Sequence, residues 1–174
     1  KALAKAIALN PKLPGAYMFL GIAKYQMHEV DSAGAELREE LRLQPQDVEA
    51  LTWLGIGELG AGNADKASGP LDRAAALSPN DPNILYLRGR AHSLIAEESY
   101  QALYRLDPDS WRVHKALGES YSASGQPEKA VAEFLKAVGK EPTNSDLYES
   151  LGDEYKKLSR FDDCMKVYEQ EVKL

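Results

Sequence analysis

The sequence has 174 residues, of which 44% are hydrophobic, a proportion typical of a folded globular protein and not of a disordered tail. Its 21 Lys and Arg residues against 27 Asp and Glu residues leave a net charge of −6, which provides no basic surface for a phosphate backbone, so no nucleic acid partner is expected. The one cysteine, Cys164, excludes an internal disulfide.

The first predicted element, over residues 1–13, is a single helix. Leu3, Ala6 and Leu9 recur at helical spacing, and Pro11 follows where the helix is expected to end. Later segments of the chain close with the same order of apolar residues and proline. We therefore interpret residues 1–13 as the closing helix of a preceding repeat whose first helix is missing, and expect the chain to be cut from a longer array.

The remaining sequence follows a period of 34 residues. One series of glycines has spacings of 34, 34, 29 and 34 residues, and a second series of small residues keeps the same period with the same single shortening of five. The first series is Gly21, Gly55, Gly89, Gly118 and Gly152, and the second is Ala33, Ala67, Ala96, Ala130 and Cys164. This pattern predicts five repeats, at 14–47, 48–81, 82–110, 111–144 and 145–174.

Each repeat is predicted to form two antiparallel helices. Apolar positions such as Tyr148, Leu151 and Tyr155 have helical spacing, and a second apolar set follows a short turn in each repeat and ends near a proline. A single helical hairpin cannot bury its apolar faces alone, so neighbouring hairpins must stack on one another. The predicted fold class is all-α.

Two places depart from this period. Pro70 falls inside the second helix of repeat 48–81, where the missing amide and the ring predict a late start or a kink before Leu71. In repeat 82–110 the shortening leaves the segment 92–101 to form both the turn and the start of the second helix. We expect a shorter hairpin there, with a dent in the outer surface near Glu97 and Glu98 as a hypothesis and a harmless deletion as the alternative.

The repeat resembles the tetratricopeptide repeat, which carries the pattern W-x2-L-G-x2-Y, A-x3-F and a final proline. The matching residues are Tyr17, Leu20, Gly21, Ala33, Leu37, Pro45, His114, Leu117, Gly118, Tyr121, Ala130, Phe134, Ala137, Pro142, Tyr148, Leu151, Gly152, Tyr155, Cys164 and Tyr168. The resemblance covers essentially the whole chain and is weakest in repeat 82–110. It implies a right-handed superhelical solenoid of stacked antiparallel hairpins, with a concave face that binds partner peptides or helices.

The sequence shows no pattern typical of an enzyme, a cofactor site or a metal site. The histidines His28, His92 and His114 occupy different repeats without metal-ligand spacing, and the latter two are expected to be partly buried packing residues. Cys164 takes a small-residue position and is expected to be buried and unreactive. Because no apolar run reaches about 20 residues and no signal peptide is recognisable, we expect a soluble fragment without membrane insertion, and its compartment stays open.

The candidate binding residues lie on the first helix of each repeat, at positions that helical periodicity and the resemblance place on the concave face. They are Met18, Phe19, Ile22, Tyr25, Thr52, Trp53, Ile56, Leu59, Tyr86, Leu87, Arg90, Arg112 and Lys115. The earlier repeats supply an apolar, aromatic wall and the later ones a wall of mixed charge. Such a groove suits an amphipathic segment, although Ile22 and Ile56 could instead pack between neighbouring helices.

These observations predict a non-catalytic scaffold that binds a protein or peptide partner of unknown identity in its concave groove. Two alternatives stay open. The apolar wall or the ends of the array could bury against a second copy of the chain, which would make the protein a homo-oligomer. The chain could also be the regulatory interaction segment of a larger enzyme.

Overall fold

The computed structural model describes residues 2–174, and every regular element in this range is a helix. The helices are α1 (Ala2–Leu9), α2 (Ala16–Gln26), α3 (Val30–Leu43), α4 (Val48–Gly60), α5 (Ala64–Leu77), α6 (Pro82–Leu106), α7 (Trp111–Ala123), α8 (Pro127–Lys140), α9 (Ser145–Lys157) and α10 (Phe161–Glu171). The chain divides into a first unit that ends at Glu97 and a second unit, Glu98–Leu174, with the boundary inside α6. The prediction of an all-α fold is confirmed.

Four antiparallel hairpins form, and a glycine on the first helix of each lets the second helix approach closely. The pairs are α2 with α3 and α4 with α5 in the first unit, and α7 with α8 and α9 with α10 in the second. A Cβ added to the glycine would lie 2.5–2.8 Å from the side chain sixteen positions later. We call this space the glycine notch. The notch pairs are Gly21 with Leu37, Gly55 with Leu71, Gly118 with Phe134 and Gly152 with Tyr168.

The turn of each hairpin uses one residue in the left-handed conformation, seven positions after the notch glycine. These residues are His28, Gly62, Gly125 and Ser159, with φ of 63°, 78°, 68° and 58°. In every case the following amide donates a hydrogen bond of 2.9–3.0 Å to the carbonyl five positions earlier, as in Glu29 to Lys24 and Gln126 to Tyr121. This bond ends the first helix and starts the reversal of the chain.

The prediction of a hairpin over 82–110 is wrong, because α6 continues as one helix of 25 residues through the segment expected to turn. The left-handed position of this repeat, seven after Gly89, is Ala96, and alanine strongly favours a right-handed helix. The other four repeats have glycine, histidine or serine at this position. The shortening removed the turn, so the expected dent near Glu97 and Glu98 does not arise.

The core of the first unit lies between successive hairpins. Met18, Leu37 and Leu54 form one cluster between the first two hairpins, and α6 adds Ile84 and Ala91 to two further clusters on α4 and α5. Helix α5 begins at Ala64 and passes through Pro70, so the late start expected there does not occur.

The core of the second unit is a single cluster that joins α8, α9 and α10. Phe134, Leu151, Tyr155 and Val167 are its larger members, and Tyr121 of α7 packs against it from a partly buried position. Cys164 is also buried in this cluster, as expected for a small-residue position. Burial of these apolar side chains stabilises the stack of hairpins in this unit.

Candidate functional site: an aromatic recess in the first unit

The structure removes two residues from the predicted groove. Met18 is 6% exposed and Leu59 is 7% exposed, and both belong to core clusters of the first unit. Each side chain packs against the second helix of a hairpin, where no partner can reach it without separating the helices. The prediction that these two residues face the groove is therefore corrected. The apolar stripe of each first helix is wider than its solvent-exposed face, and packing against the second helix buries the rest of the stripe.

The other apolar candidates of the first unit divide into packed and exposed residues. Ile22 and Trp53 pack against the Met18 cluster from partly buried positions, and Leu87 packs against the Leu59 cluster. Phe19 and Tyr86 are largely exposed. The remaining candidates are the partly buried Ile56, the exposed Arg90, and Thr52, whose hydroxyl donates a hydrogen bond of 2.7 Å to the carbonyl of Val48.

Tyr25 of α2 and Trp53 of α4 form an edge-to-face aromatic pair with ring centroids 5.7 Å apart. Glycines on α4 make room for the tyrosine, since a Cβ on Gly57 would lie 3.9 Å from its ring and a Cβ on Gly60 would lie 3.2 Å from its hydroxyl oxygen. Both rings stay partly exposed. The pair therefore presents a rigid apolar surface with polar Tyr and Trp groups at its edge.

Two cavities, of about 280 Å³ and 310 Å³, lie against this aromatic pair and share Tyr25, Val30 and Trp53 in their walls. We call them together the aromatic recess. The smaller cavity, of about 280 Å³, extends between α3 and α4 as far as Leu54 and Gly57. Its volume is near the lower limit of small-ligand pockets, a size suited to one or two side chains of a longer partner.

Charged residues form one wall of the 280 Å³ cavity, and the sequence did not indicate them. Arg38 of α3 donates a hydrogen bond of 2.6 Å to Glu58 of α4, and Asn63 donates one of 3.1 Å to the other oxygen of the same carboxylate. Asp31 and Lys66 complete this wall. The predicted binding residues all lie on the first helix of a repeat. Arg38 and Lys66 lie on second helices, so the repeat pattern did not indicate them.

The charged candidates of the second unit, Arg112 and Lys115, are engaged with residues of their own unit. The guanidinium of Arg112 lies 4.3 Å from the ring centroid of Trp111. The ammonium of Lys115 lies 3.9 Å from a carboxylate oxygen of Glu119 and 4.0 Å from one of Asp146. Such exposed pairs are weak. Nothing in this geometry distinguishes Arg112 and Lys115 from ordinary surface residues.

A separate cavity of about 510 Å³ in the second unit has a polar wall around Glu154. One oxygen of this buried carboxylate accepts hydrogen bonds of 2.7 Å from Ser122 and 2.6 Å from Lys157, while the second oxygen has no hydrogen-bond partner among the described atoms. The cavity is open to solvent, and the charged residues Glu119, Asp153, Lys156 and Lys157 also line it. Its residues already form ion pairs with one another.

His114 of α7 is buried between two carboxylates, as expected for a packing residue. Its Nδ1 lies 2.7 Å from Glu133 and its Nε2 lies 3.1 Å from Asp109. Burial raises the pKa of the Glu133 carboxyl, but hydrogen bonds from Lys136 and His114 and their charges outweigh burial, so this pKa lies below its usual value. His92, which was expected to be partly buried, is exposed and lies 3.0 Å from Asp72.

The lowered pKa of Glu133 predicts a pH-dependent contribution to stability. The carboxylate stabilises the fold fully above the ordinary glutamate pKa of about 4.3, and this contribution is lost as the pH falls through the lower pKa of the folded state. The difference in unfolding free energy between the wild type and Glu133→Gln should therefore shrink below that pH. Denaturant titrations at a series of pH values measure it, with exposed Glu149→Gln as control. A difference that stays constant to acidic pH would contradict the prediction.

Among the residues that the structure describes, no helix is long and apolar enough to cross a membrane. Within the same range, residues 2–174, no group of three or more His, Cys, Asp and Glu side chains could hold a metal ion.

Residues 19–82 and 84–145, more than half of the chain, match the family model described as tetratricopeptide repeat. No curated protein matches the chain in sequence.

Several solved structures are similar to this chain. YrrB, described as a TPR protein with an unusual peptide-binding site, is 15% identical with a TM-score of 0.54, and the alignment covers 99% of this chain and 92% of YrrB. A structure of MamA is 23% identical with a TM-score of 0.48, over 90% of this chain and 88% of MamA. MamA residues 41 to the end from Desulfovibrio magneticus RS-1 are 22% identical with a TM-score of 0.45, over 91% and 92% of the two chains.

Proposed function

Because the chain belongs to the tetratricopeptide repeat family, we propose that it is a protein-interaction scaffold whose first unit binds a peptide segment of a partner protein in the aromatic recess. The peptide-binding site named in the description of YrrB, which has the same fold, suggests this class of partner. The anchor of the bound segment is an aromatic or aliphatic side chain, and its flanking residues are polar. The mechanism is reversible docking on a preformed surface, without covalent chemistry.

The observation that carries this proposal is the aromatic pair of Tyr25 and Trp53 beside open cavities. Aromatic rings that end in a polar atom are enriched at protein interfaces because they offer apolar area together with a hydrogen-bonding group. Burial of one apolar anchor contributes about 1.5–3 kcal/mol, so an anchor with a few backbone contacts is enough for a transient complex.

The charged wall of the recess suits polar residues beside the anchor of the bound peptide. Arg38 and Glu58 are held together at 2.6 Å, so they present a fixed donor and a fixed acceptor and need little reordering on binding. Opposite charges at this wall would pair with both signs of charge in a peptide that carries polar residues on each side of its anchor.

A test of the proposal needs a variant that fills the recess and leaves the core intact. Trp53→Glu is ambiguous, because Trp53 packs against the Met18 cluster and its loss could unfold the hairpin. Gly57→Leu is cleaner: the new Cβ meets Tyr25 at an ordinary contact distance of 3.9 Å, and leucine favours the helix more than glycine does. Ala76→Leu adds a similar side chain to an exposed position on α5 of the same unit and serves as control.

We expect peptides selected on the wild type from a phage-displayed library of short linear peptides to share an aromatic or aliphatic anchor. Their affinity for Gly57→Leu, measured by fluorescence anisotropy, should fall about tenfold or more, because the anchor loses its site, and their affinity for Ala76→Leu should not change. Circular dichroism confirms that both variants fold. Equal binding by Gly57→Leu, or a selection that enriches no peptide on the wild type, would contradict the proposal.

A further inference from the structure

The glycine notch of α6 is empty, unlike those of the four hairpins. No described atom other than those of its own helix and chain neighbours lies within 4 Å of a Cβ added to Gly89. In the four hairpins the same space holds the side chain of Leu37, Leu71, Phe134 or Tyr168. A glycine that makes room for a neighbouring helix is therefore present in α6 without that helix.

The repeat period identifies the side chain that belongs in this notch. In each hairpin it comes sixteen positions after the glycine, and in repeat 82–110 the shortening by five residues moves it to eleven positions after Gly89. That residue is Tyr100, an aromatic residue like Phe134 and Tyr168. Tyr100 is 53% exposed on α6 itself. The chain thus contains both halves of a notch pair, on one continuous helix.

Tyr100 cannot fill the notch of its own chain while α6 is straight. Eleven residues correspond to about 16 Å along a helix, and eleven steps of 100° bring the side chain back to within about 20° of the starting face. Gly89 and Tyr100 therefore point to the same side of α6 but lie three turns apart. The only segment with this sequence that can reach the notch belongs to another molecule.

We propose that two copies of this chain associate through antiparallel packing of their α6 helices, with Tyr100 of each copy in the glycine notch of the other. The arrangement is isologous, since the contact that one copy makes is returned by its partner. A hairpin that has lost its turn and forms between chains is the usual route to a domain-swapped dimer. This surface is separate from the aromatic recess, and the inference does not depend on the proposed function.

The register of this pairing also matches other residues of the exposed face. If Gly89 lies opposite Tyr100, antiparallel geometry places Leu85 opposite Tyr104, and both are large, exposed apolar side chains on α6. At the centre of the pair the small residues Ser93 and Ala96 lie opposite each other, which allows the two helices to approach closely. One register therefore accounts for the notch and for the exposed apolar residues on its side of the helix.

Disulfide trapping distinguishes this dimer from a closed hairpin within one chain. The test protein carries Gly89→Cys and Tyr100→Cys together with Cys164→Ala, because the corresponding position of the other four repeats holds alanine. Mild oxidation is expected to give a covalent dimer on a non-reducing gel. An internal disulfide in a monomer would show that α6 folds back on itself and would overturn the proposal, as would free thiols in a folded protein. In the control, Gly89→Cys with Ala102→Cys, the second cysteine lies on the opposite helix face and no covalent dimer is expected.

Light scattering gives an independent test that does not depend on the cysteines. The wild type is expected to be a dimer that dissociates on dilution. Insertion of five residues after Leu94, with glycine as the second, restores the 34-residue spacing and a left-handed turn position, so this variant should close its hairpin and become a monomer. A wild type that stays monomeric at its highest soluble concentration, or an insertion variant that stays dimeric, would overturn the proposal.

Discussion

Replacing Phe134 with alanine is expected to lower the unfolding free energy of the second unit by about 3–5 kcal/mol. Phe134 is 2% exposed, and its ring fills the notch of Gly118, where an added Cβ would lie 2.7 Å from the ring. It also packs in the cluster that includes Leu151 and Tyr155. Removal of the ring leaves a cavity beside Gly118. Helices α7 and α8 cannot move closer together to fill it, because they are already in close contact.

Leu135→Ala is the matched control for this measurement. Leu135 is the next residue on α8 and is 48% exposed, so its truncation should cost less than about 1 kcal/mol. Urea denaturation followed by circular dichroism measures both variants. A Phe134→Ala variant no less stable than Leu135→Ala would show that the notch does not hold the hairpin together.

Replacing Glu40 with alanine is expected to destabilise the first unit by about 2–4 kcal/mol. Glu40 of α3 is fully buried, and its carboxylate accepts hydrogen bonds from the amides of Gly15 at 2.9 Å and Met18 at 3.2 Å. These amides lie at the start of α2, where the helix has donors without intrahelical partners and favours a negative charge. The Gln44 side chain donates a third hydrogen bond, of 2.6 Å. Alanine would leave these donors unpaired.

Glu39→Ala serves as the control for this variant, because Glu39 is adjacent and pairs with Arg42 on the same helix, and such pairs contribute little. We expect a change within about 0.5 kcal/mol. Chemical denaturation compares the two alanine variants, and similar stabilities would refute the role of Glu40. Since Glu40 joins α3 to the helix that carries Tyr25, the alanine variant should also weaken peptide binding at the aromatic recess.

Glu40 illustrates a feature that a single sequence does not disclose. A glutamate in a helix with three other acids has no local sign of burial, and the amides that it caps lie more than twenty positions earlier in the chain. Arg38 and Glu58 are similar, since their pairing follows from the stacking of two hairpins. The aromatic members of the recess, Tyr25 and Trp53, were predictable because they occupy regular positions relative to the glycines.

The residues that each first helix exposes to solvent were harder to predict than the helix itself. Met18 and Phe19 are consecutive apolar residues, and the structure buries the first and exposes the second. Their spacing to Gly21 differs by one residue, or about 100° of helix, and the width of the packed face determines which of them a partner can reach. That width depends on the side chains of α3 and α4, so it is a property of the assembled unit.

The sequence by itself determined the all-α class, the period and the glycines of the notches, because these depend on spacing along the chain and on the absence of a side chain at glycine. Only the tertiary structure decided the fate of repeat 82–110. There the weak frame of Gly89, Ala96 and Tyr100 was enough to suggest a hairpin, but without a left-handed turn residue the helix hydrogen bonds continue through Ala96. It also decided which aromatic residues stay open, because burial depends on neighbours that the chain brings together only when the hairpins stack.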